Sequence, residues 1–254
     1  MSKFSFGFLD GSLRAGSLRQ WAYRAQNARS ADLKTLREQR GSAHAFKTQI
    51  ERFLQIADER LAQSNNGVPA PHNADWSWRP APWRGPLPLR GMSSVATNST
   101  LGDEVTLFHD CTLSELTLSQ RRNLREGDGA PYGLQLDVFD FDGSFLSLVV
   151  DLPDAAITGL RRTHVLRMET IVHMEKPLEI FARLNIRHGP NTEQMVSELA
   201  LDRQNIRVEF DLAYANLNEK RVDRAWIDLI FEGPRMNQVT LRDLTFSRRP
   251  RAQI

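Results

Sequence analysis

Apolar residues recur with a helical period through the first quarter of the chain. One pattern runs from about Ser12 to Arg40 and is carried by Leu13, Leu18, Trp21, Ala25, Leu33 and Leu36; Ser30-Ala31-Asp32 inside it predicts a fresh N-cap that divides it in two. A second pattern runs from Ser42 to Gln63. Its Phe46, Ile50, Phe53, Leu54, Ala57 and Leu61 fall on one face of a 3.6-residue helix, and Gly41 is the expected break between the two patterns. Together they predict a helical hairpin. Helix then stops at Ser64-Asn65-Asn66-Gly67. The next stretch, Val68 to Gly91, carries Pro69, Pro71, Pro80, Pro82, Pro86 and Pro88, which exclude helix and central strand. Trp76, Trp78 and Trp83 lie in this stretch, and their large apolar area predicts a strap laid across a neighbouring domain.

From about Met92 the period changes to two. Alternating runs occur at Val105–Asp110, Leu116–Ser119, Leu134–Phe139, Phe145–Val150, His164–His173, Leu178–Arg187, Ile206–Tyr214, Ala225–Phe231 and Val239–Phe246. Turn residues separate them, among them Asp142-Gly143, Lys176-Pro177, His188-Gly189-Pro190-Asn191 and Glu232-Gly233-Pro234. Nine or more short strands with few helical patterns between them predict an antiparallel β-sandwich, jelly-roll-like in size. The fold class read from the pattern is therefore mainly β with an α-helical N-terminal segment. Its parts are a basic helical segment over residues 1–64, a Pro/Trp-rich linker strap over 65–91 and a sandwich over 92–254.

Composition narrows the picture. A chain of 254 residues buries enough surface to fold without disulfides or metals. Cys111 is the single cysteine, so no internal disulfide forms, which fits a reducing, cytoplasmic setting. No run reaches the ~18 apolar residues of a membrane span, and the Phe4–Leu9 stretch is too interrupted for a secretory leader. The formal charge of +2 is too balanced to mark a nucleic-acid-binding chain. Residues 1–62 nevertheless carry eleven Lys and Arg against six Asp and Glu, so the helical segment is basic and the remainder slightly acidic. Arg14, Arg19, Arg24 and Arg29 recur every five residues, a spacing that spreads them around a helix and forms no stripe for a groove or a membrane surface.

The alternation also yields a candidate site. Phe181, Arg183, Asn185 and Arg187 oppose the apolar set of their strand, as do Arg167 and Glu169, then Glu209 and Asp211, then Trp226 and Asp228. If these strands share a sheet, Trp226, Asp228, Arg183, Asn185, Arg187, Arg167, Glu209 and Asp211 make one polar face with a tryptophan. A glycan needs that mixture: an aromatic ring for the apolar face of a pyranose and polar groups for its hydroxyls. The plain alternative is a solvated sheet face with cross-strand ion pairs. A second candidate surface is formed by Phe46, Ile50, Phe53 and Leu61 on the helix together with Trp76, Trp78 and Trp83 of the strap. It suits a protein partner or self-association.

Catalytic chemistry is thinly represented. Glu209-Phe210-Asp211-Leu212 resembles the opening of the E-x-D-x-x-E signature of jelly-roll β-glucanases, whose outer glutamates serve as nucleophile and acid/base; here Tyr214 stands where the last acid belongs. His109-Asp110-Cys111 supplies a His/Cys pair without the third ligand zinc needs, and Asp140-Phe141-Asp142-Gly143 lacks the rest of a calcium loop. There is no Walker A loop, dinucleotide fingerprint or nucleophile elbow. No cofactor, no metal and no catalytic residue is expected.

The segments DWSWRPAPWRGPLP, LGDEVTLFHDC, FDGSFLSLVVDLP, KPLEIFARLNIRHGPNTEQ and AWIDLIFEGPRMNQVTLRDLTFSRRPRA resemble an uncharacterised bacterial family with a domain of unknown function. That family brings no activity and no site residues. The last thirty or so residues, an aromatic strand, a turn and VTLRDLTFSR, also look like the closing strands of galactose-binding-like and carbohydrate-binding modules. The resemblance implies a non-enzymatic binding module, most specifically for a carbohydrate, with the helices as tether. An adaptor that docks proteins or a second copy through the helices and strap is the alternative, and a degenerate jelly-roll glycosidase is the third reading.

Overall fold

The computed structural model describes residues 7–63, 71–125, 128–203 and 205–251, with the side chains of residues 7–15, 55, 58, 59 and 61–63 left out. The chain divides into two compact units, Met1–Gln55 and Ile56–Ile254.

The helical unit contains α1 (Gly7–Asn27) and most of α2 (Leu33–Gln63). The break falls between them and not at Gly41. Asp32 caps α2: its Oδ1 accepts the backbone N–H of Lys34 at 3.0 Å and of Thr35 at 2.9 Å. Hydrogen bonding from Thr35 holds the Asp32 carboxyl below its ordinary value, so the cap is an anion at the positive end of a helix. Gly41 lies inside the 31 residues of α2, because one interior glycine costs only ~1 kcal/mol relative to alanine. The Trp21 ring meets Phe46 edge-on with centroids 6.0 Å apart, closing α1 on α2 as a hairpin. Phe46, Ile50 and Phe53 are nevertheless 54%, 53% and 69% exposed.

The larger unit is a two-sheet antiparallel sandwich. Its strands are β1 (Trp76–Trp78), β2 (Gly91–Ser93), β3 (Ser99–Leu101), β4 (Val105–His109), β5 (Leu116–Arg122), β6 (Tyr132–Val138), β7 (Leu146–Asp151), β8 (His164–Met174), β9 (Glu179–His188), β10 (Asn191–Glu198), β11 (Ile206–Asp211), β12 (Val222–Glu232) and β13 (Asn237–Pro250). One sheet has seven strands in the order β11-β8-β13-β6-β5-β2, with β1 also paired to β13. The other has six, in the order β10-β9-β12-β7-β4-β3. Most neighbours in each sheet are distant in sequence, as in a jelly roll. Between the sheets lie Leu134, Leu136, Leu166, Met168, Ile180, Ala182, Leu184, Ile227, Leu229, Leu244 and Phe246, all buried.

The Pro/Trp-rich strap is built into this fold. Trp76, Ser77 and Trp78 pair with Arg248, Ser247 and Phe246, so β1 takes up the edge of β13 beyond the end of β6. Trp78 packs on the Phe246 ring with centroids 5.8 Å apart. Trp83, on the short helix α3 (Ala81–Arg84), is fully buried, and its indole N–H donates to the Leu241 carbonyl at 2.9 Å. Prolines leave the strap's carbonyls without a ladder, and the buried Gln120 side chain serves them instead. It donates to Pro82 O and Gly85 O and accepts from Leu87 N–H. Arg79 clamps Asp243 with two 2.9 Å bonds.

Candidate functional site

The fold splits the polar face expected from sequence. Arg183, Asn185 and Arg187 on β9 lie beside Trp226 and Asp228 on β12 in the six-stranded sheet. Arg167 on β8 and Glu209 and Asp211 on β11 belong to the seven-stranded sheet. One site therefore cannot contain all eight residues. Strand pairing is set by contacts between distant segments, and alternation within a strand carries no record of which sheet the strand joins.

On the six-stranded sheet the outward residues form ordered rows. Trp226 stands between Asn185 and Asp151, Asp228 between Arg183 and Val149, and Ile230 between Phe181 and Ser147, with Phe108 on the far side of Ser147. Opposite positions on paired strands lie about 5 Å apart, so each row is continuous. Phe108, Phe145, Ser147, Val149, Arg183, Arg224, Trp226, Asp228 and Ile230 line a shallow groove of about 540 Å³. Ser147 Oγ is buried on its floor and has no hydrogen-bond partner among the described residues.

A polar network fixes one side of the groove. Arg183 donates from Nε at 2.8 Å and from Nη2 at 2.6 Å to Asp228 Oδ2. Asn185 Nδ2 donates to the same oxygen at 3.1 Å and to the Arg183 carbonyl, while Asn185 Oδ1 accepts from Gln194. Asn185 and Asp228 are only 1% and 4% exposed, so they organise the surface from beneath. Arg224 lies 5.0 Å from the Trp226 ring centroid and is anchored to Asp151 Oδ1 by bonds of 3.0 and 2.6 Å. A bulge between Val222 and Arg224 leaves Asp223 outside the register, where both its oxygens accept from Arg187 Nε.

On the other sheet the carboxylates are held in place. Glu209 accepts from Arg167 at 2.8 and 2.6 Å and from Arg249 at 3.2 Å. Burial pushes the Glu209 carboxyl up, but the two guanidiniums outweigh it and hold the group below its ordinary value. Its oxygens are occupied by the two guanidiniums, and the position where the jelly-roll β-glucanase signature needs its second glutamate is Tyr214, so the pair of carboxyl groups that a retaining glycosidase uses is not assembled here. Asp211 accepts the Ala213 N–H and pairs with Arg251. The Ile206–Tyr214 run thus ends as strand at Asp211, and residues Leu212–Tyr214 form a turn of 3₁₀ helix. Among the described residues no group of three or more His, Cys, Asp and Glu is placed to hold a metal. Both ring nitrogens of His109 meet backbone, at Val95 O and Cys111 N–H, and burial raises the Cys111 thiol. Asp110 caps the Asp142-Gly143 loop by accepting from the Ser144 N–H and hydroxyl and from the Phe145 N–H.

Of the second candidate surface, Trp83 lies in the core and is closed to any partner, and Trp76 and Trp78 are half-buried against that core. Phe46, Ile50 and Phe53 are exposed, and the Leu61 side chain lies outside the described residues. Sequence reasoning passed over Phe108, Phe145, Ser147, Val149 and Arg224. The signal for Phe108 is an aromatic residue out of phase with Val105, Leu107 and His109. Phe145 is the first residue of its alternating run, beside a turn, and Arg224 stands just outside the run that begins at Ala225.

These features define a jelly-roll-like sandwich with an aromatic-flanked groove on one outer sheet face. The chain belongs to a family of unknown function, DUF6478, whose model matches residues 1–254. No curated protein matches. Among solved structures it is similar to the enzymatically active domain of tailspike protein 4 of bacteriophage CBA120, at 9% identity and a TM-score of 0.41, over 60% of this chain and 21% of that one. It is also similar to a family 11 carbohydrate-binding module from Clostridium thermocellum in complex with a mixed-linked tetrasaccharide (11% identity, TM-score 0.39, 64% of this chain and 97% of that one). A third is the CBM22-1 xylan-binding domain of Paenibacillus barcinonensis Xyn10C (9%, 0.36, 64% and 94%). No helix among the described residues is long and apolar enough to cross a membrane.

Proposed function

We propose that this is a non-catalytic binding protein whose six-stranded sheet takes a carbohydrate in the groove beside Trp226. The observation that supports this most is the composition of the groove. Trp226, Phe108 and Phe145 provide apolar surface, and Arg183 and Asp228 are fixed beside them with defined hydrogen-bonding directions. A saccharide ring has the matching character, with apolar C–H faces and a polar edge. Arg167, Glu209 and Asp211 are left out of the reading because they lie on the other sheet. The experiment is affinity electrophoresis of the full chain through gels containing polysaccharides, beside a Trp226→Ala variant with an unchanged circular dichroism spectrum. Retention by at least one polymer, weakened about tenfold in the variant, is the expected result, a tenfold loss being ~1.4 kcal/mol. Equal retention of both proteins would remove Trp226 from the site.

A second reading rests on the exposed Phe46, Ile50 and Phe53 of α2. These residues suit docking to a protein or to a second copy of the chain. Sedimentation that reports a monomer at all concentrations, unaltered by Phe53→Glu, would remove self-association.

A further inference from the structure

The charges on the groove's sheet face decide which saccharides it can hold. We infer, resting on the carbohydrate reading above, that the groove selects uncharged saccharides and rejects acidic ones. Each of the three guanidiniums on this part of the face already has a carboxylate: Arg183 with Asp228, Arg224 with Asp151, and Arg187 with Asp223. The pairs cancel, and the remaining groove residues, Phe108, Phe145, Ser147, Val149, Trp226 and Ile230, carry no charge.

The pairing at Arg183 resists exchange. Asp228 is buried, and its Oδ2 takes two bonds from Arg183 and one from Asn185. A uronate or sulfate that drew Arg183 away would leave a buried carboxylate stripped of its cation, which is strongly unfavourable. The rim adds a further bias. Glu179 and Glu232 face each other across β9 and β12, Glu198 stands opposite Phe181 on β10, and all three are exposed. They repel an anion approaching along the strands. What the pairs leave available suits a neutral ligand. Arg183 and Arg224 bind their carboxylates through Nε and Nη2, so among the described residues the Nη1 donors of both remain for sugar hydroxyls.

Affinity electrophoresis of the full chain tests this with neutral mixed-linked β-glucan, xylan and galactan, acidic polygalacturonate and alginate, and cationic chitosan, each at low and high NaCl. Retention by a neutral polymer, changing by less than about twofold with salt, is expected, because no net charge is neutralised on binding. Asp151→Asn, which unpairs Arg224 at an exposed position, is expected to add salt-sensitive retention by the acidic polymers. Preferential, salt-sensitive retention of wild type by an acidic or cationic polymer overturns the inference while leaving the groove a carbohydrate site. So does an Asp151→Asn variant that behaves as wild type. Retention of wild type by none of the polymers overturns the carbohydrate reading itself, and the inference with it.

Discussion

Arginine fixes much of the polar surface of this sandwich, and its pairings show which carboxylates hold structure. Glu209 is held by Arg167 and Arg249 from a neighbouring strand and the strand beyond it. Its ordinary value is 4.5 and its folded value lies lower, so the folded state binds this proton less readily than the unfolded chain does. The associated stability is complete at neutral pH and is lost as the pH falls below 4.5 through the lower folded value. Arg167→Ala should therefore lower the urea midpoint at neutral pH and flatten its decline on acidification. Parallel declines in the two proteins would show that the pair contributes nothing to acid sensitivity. Asp137 follows the same logic: burial pushes it up, yet hydrogen bonds from Thr117, Gln238 and Gln135 together hold it below its ordinary value.

Among the elements, those with strong local patterns could be read from the chain and those without could not. β4, β5, β6, β7, β8, β9, β11, β12 and β13 each carry an alternating apolar set such as Ile180-Ala182-Leu184-Ile186, and each appears where that set stands. β10 has no signature in the sequence because Asn191–Glu198 is an edge strand with no buried residue, and so no inward apolar set. β1, β2 and β3 are three residues each, too short for a period. The N-cap expected at Ser30-Ala31-Asp32 is there, with Asp32 setting the start of α2, whereas Gly41, a residue type that often stops helices, lies inside the helix. Gly41 has open space where a Cβ would stand. Gly41→Ala should accordingly raise helicity and stabilise the helical unit by about 0.5–1 kcal/mol. A loss of helicity in that variant would place a real break at Gly41.

At the scale of the whole molecule, the candidate site depends on which strands become neighbours. Trp226, Asp228 and Arg183 were legible as outward-facing residues, and pairing of β12 with β9 joins them. Arg167 and Glu209 were equally legible, and pairing of β11 with β8 sets them on the opposite sheet. Phe108 and Ser147 enter the groove only because β7 pairs with β12 and β4 pairs with β7, neighbours that lie far apart in sequence. The two faces give the central claim its most direct test. An uncharged oligosaccharide cut from a retained polymer is titrated calorimetrically into the full chain, into Trp226→Ala and into Arg207→Ala, whose side chain is exposed on the seven-stranded sheet. A site on the six-stranded sheet predicts heat of binding for wild type and Arg207→Ala at equal affinity and little or none for Trp226→Ala. Binding lost in Arg207→Ala and kept in Trp226→Ala would contradict it and move the site to the other face.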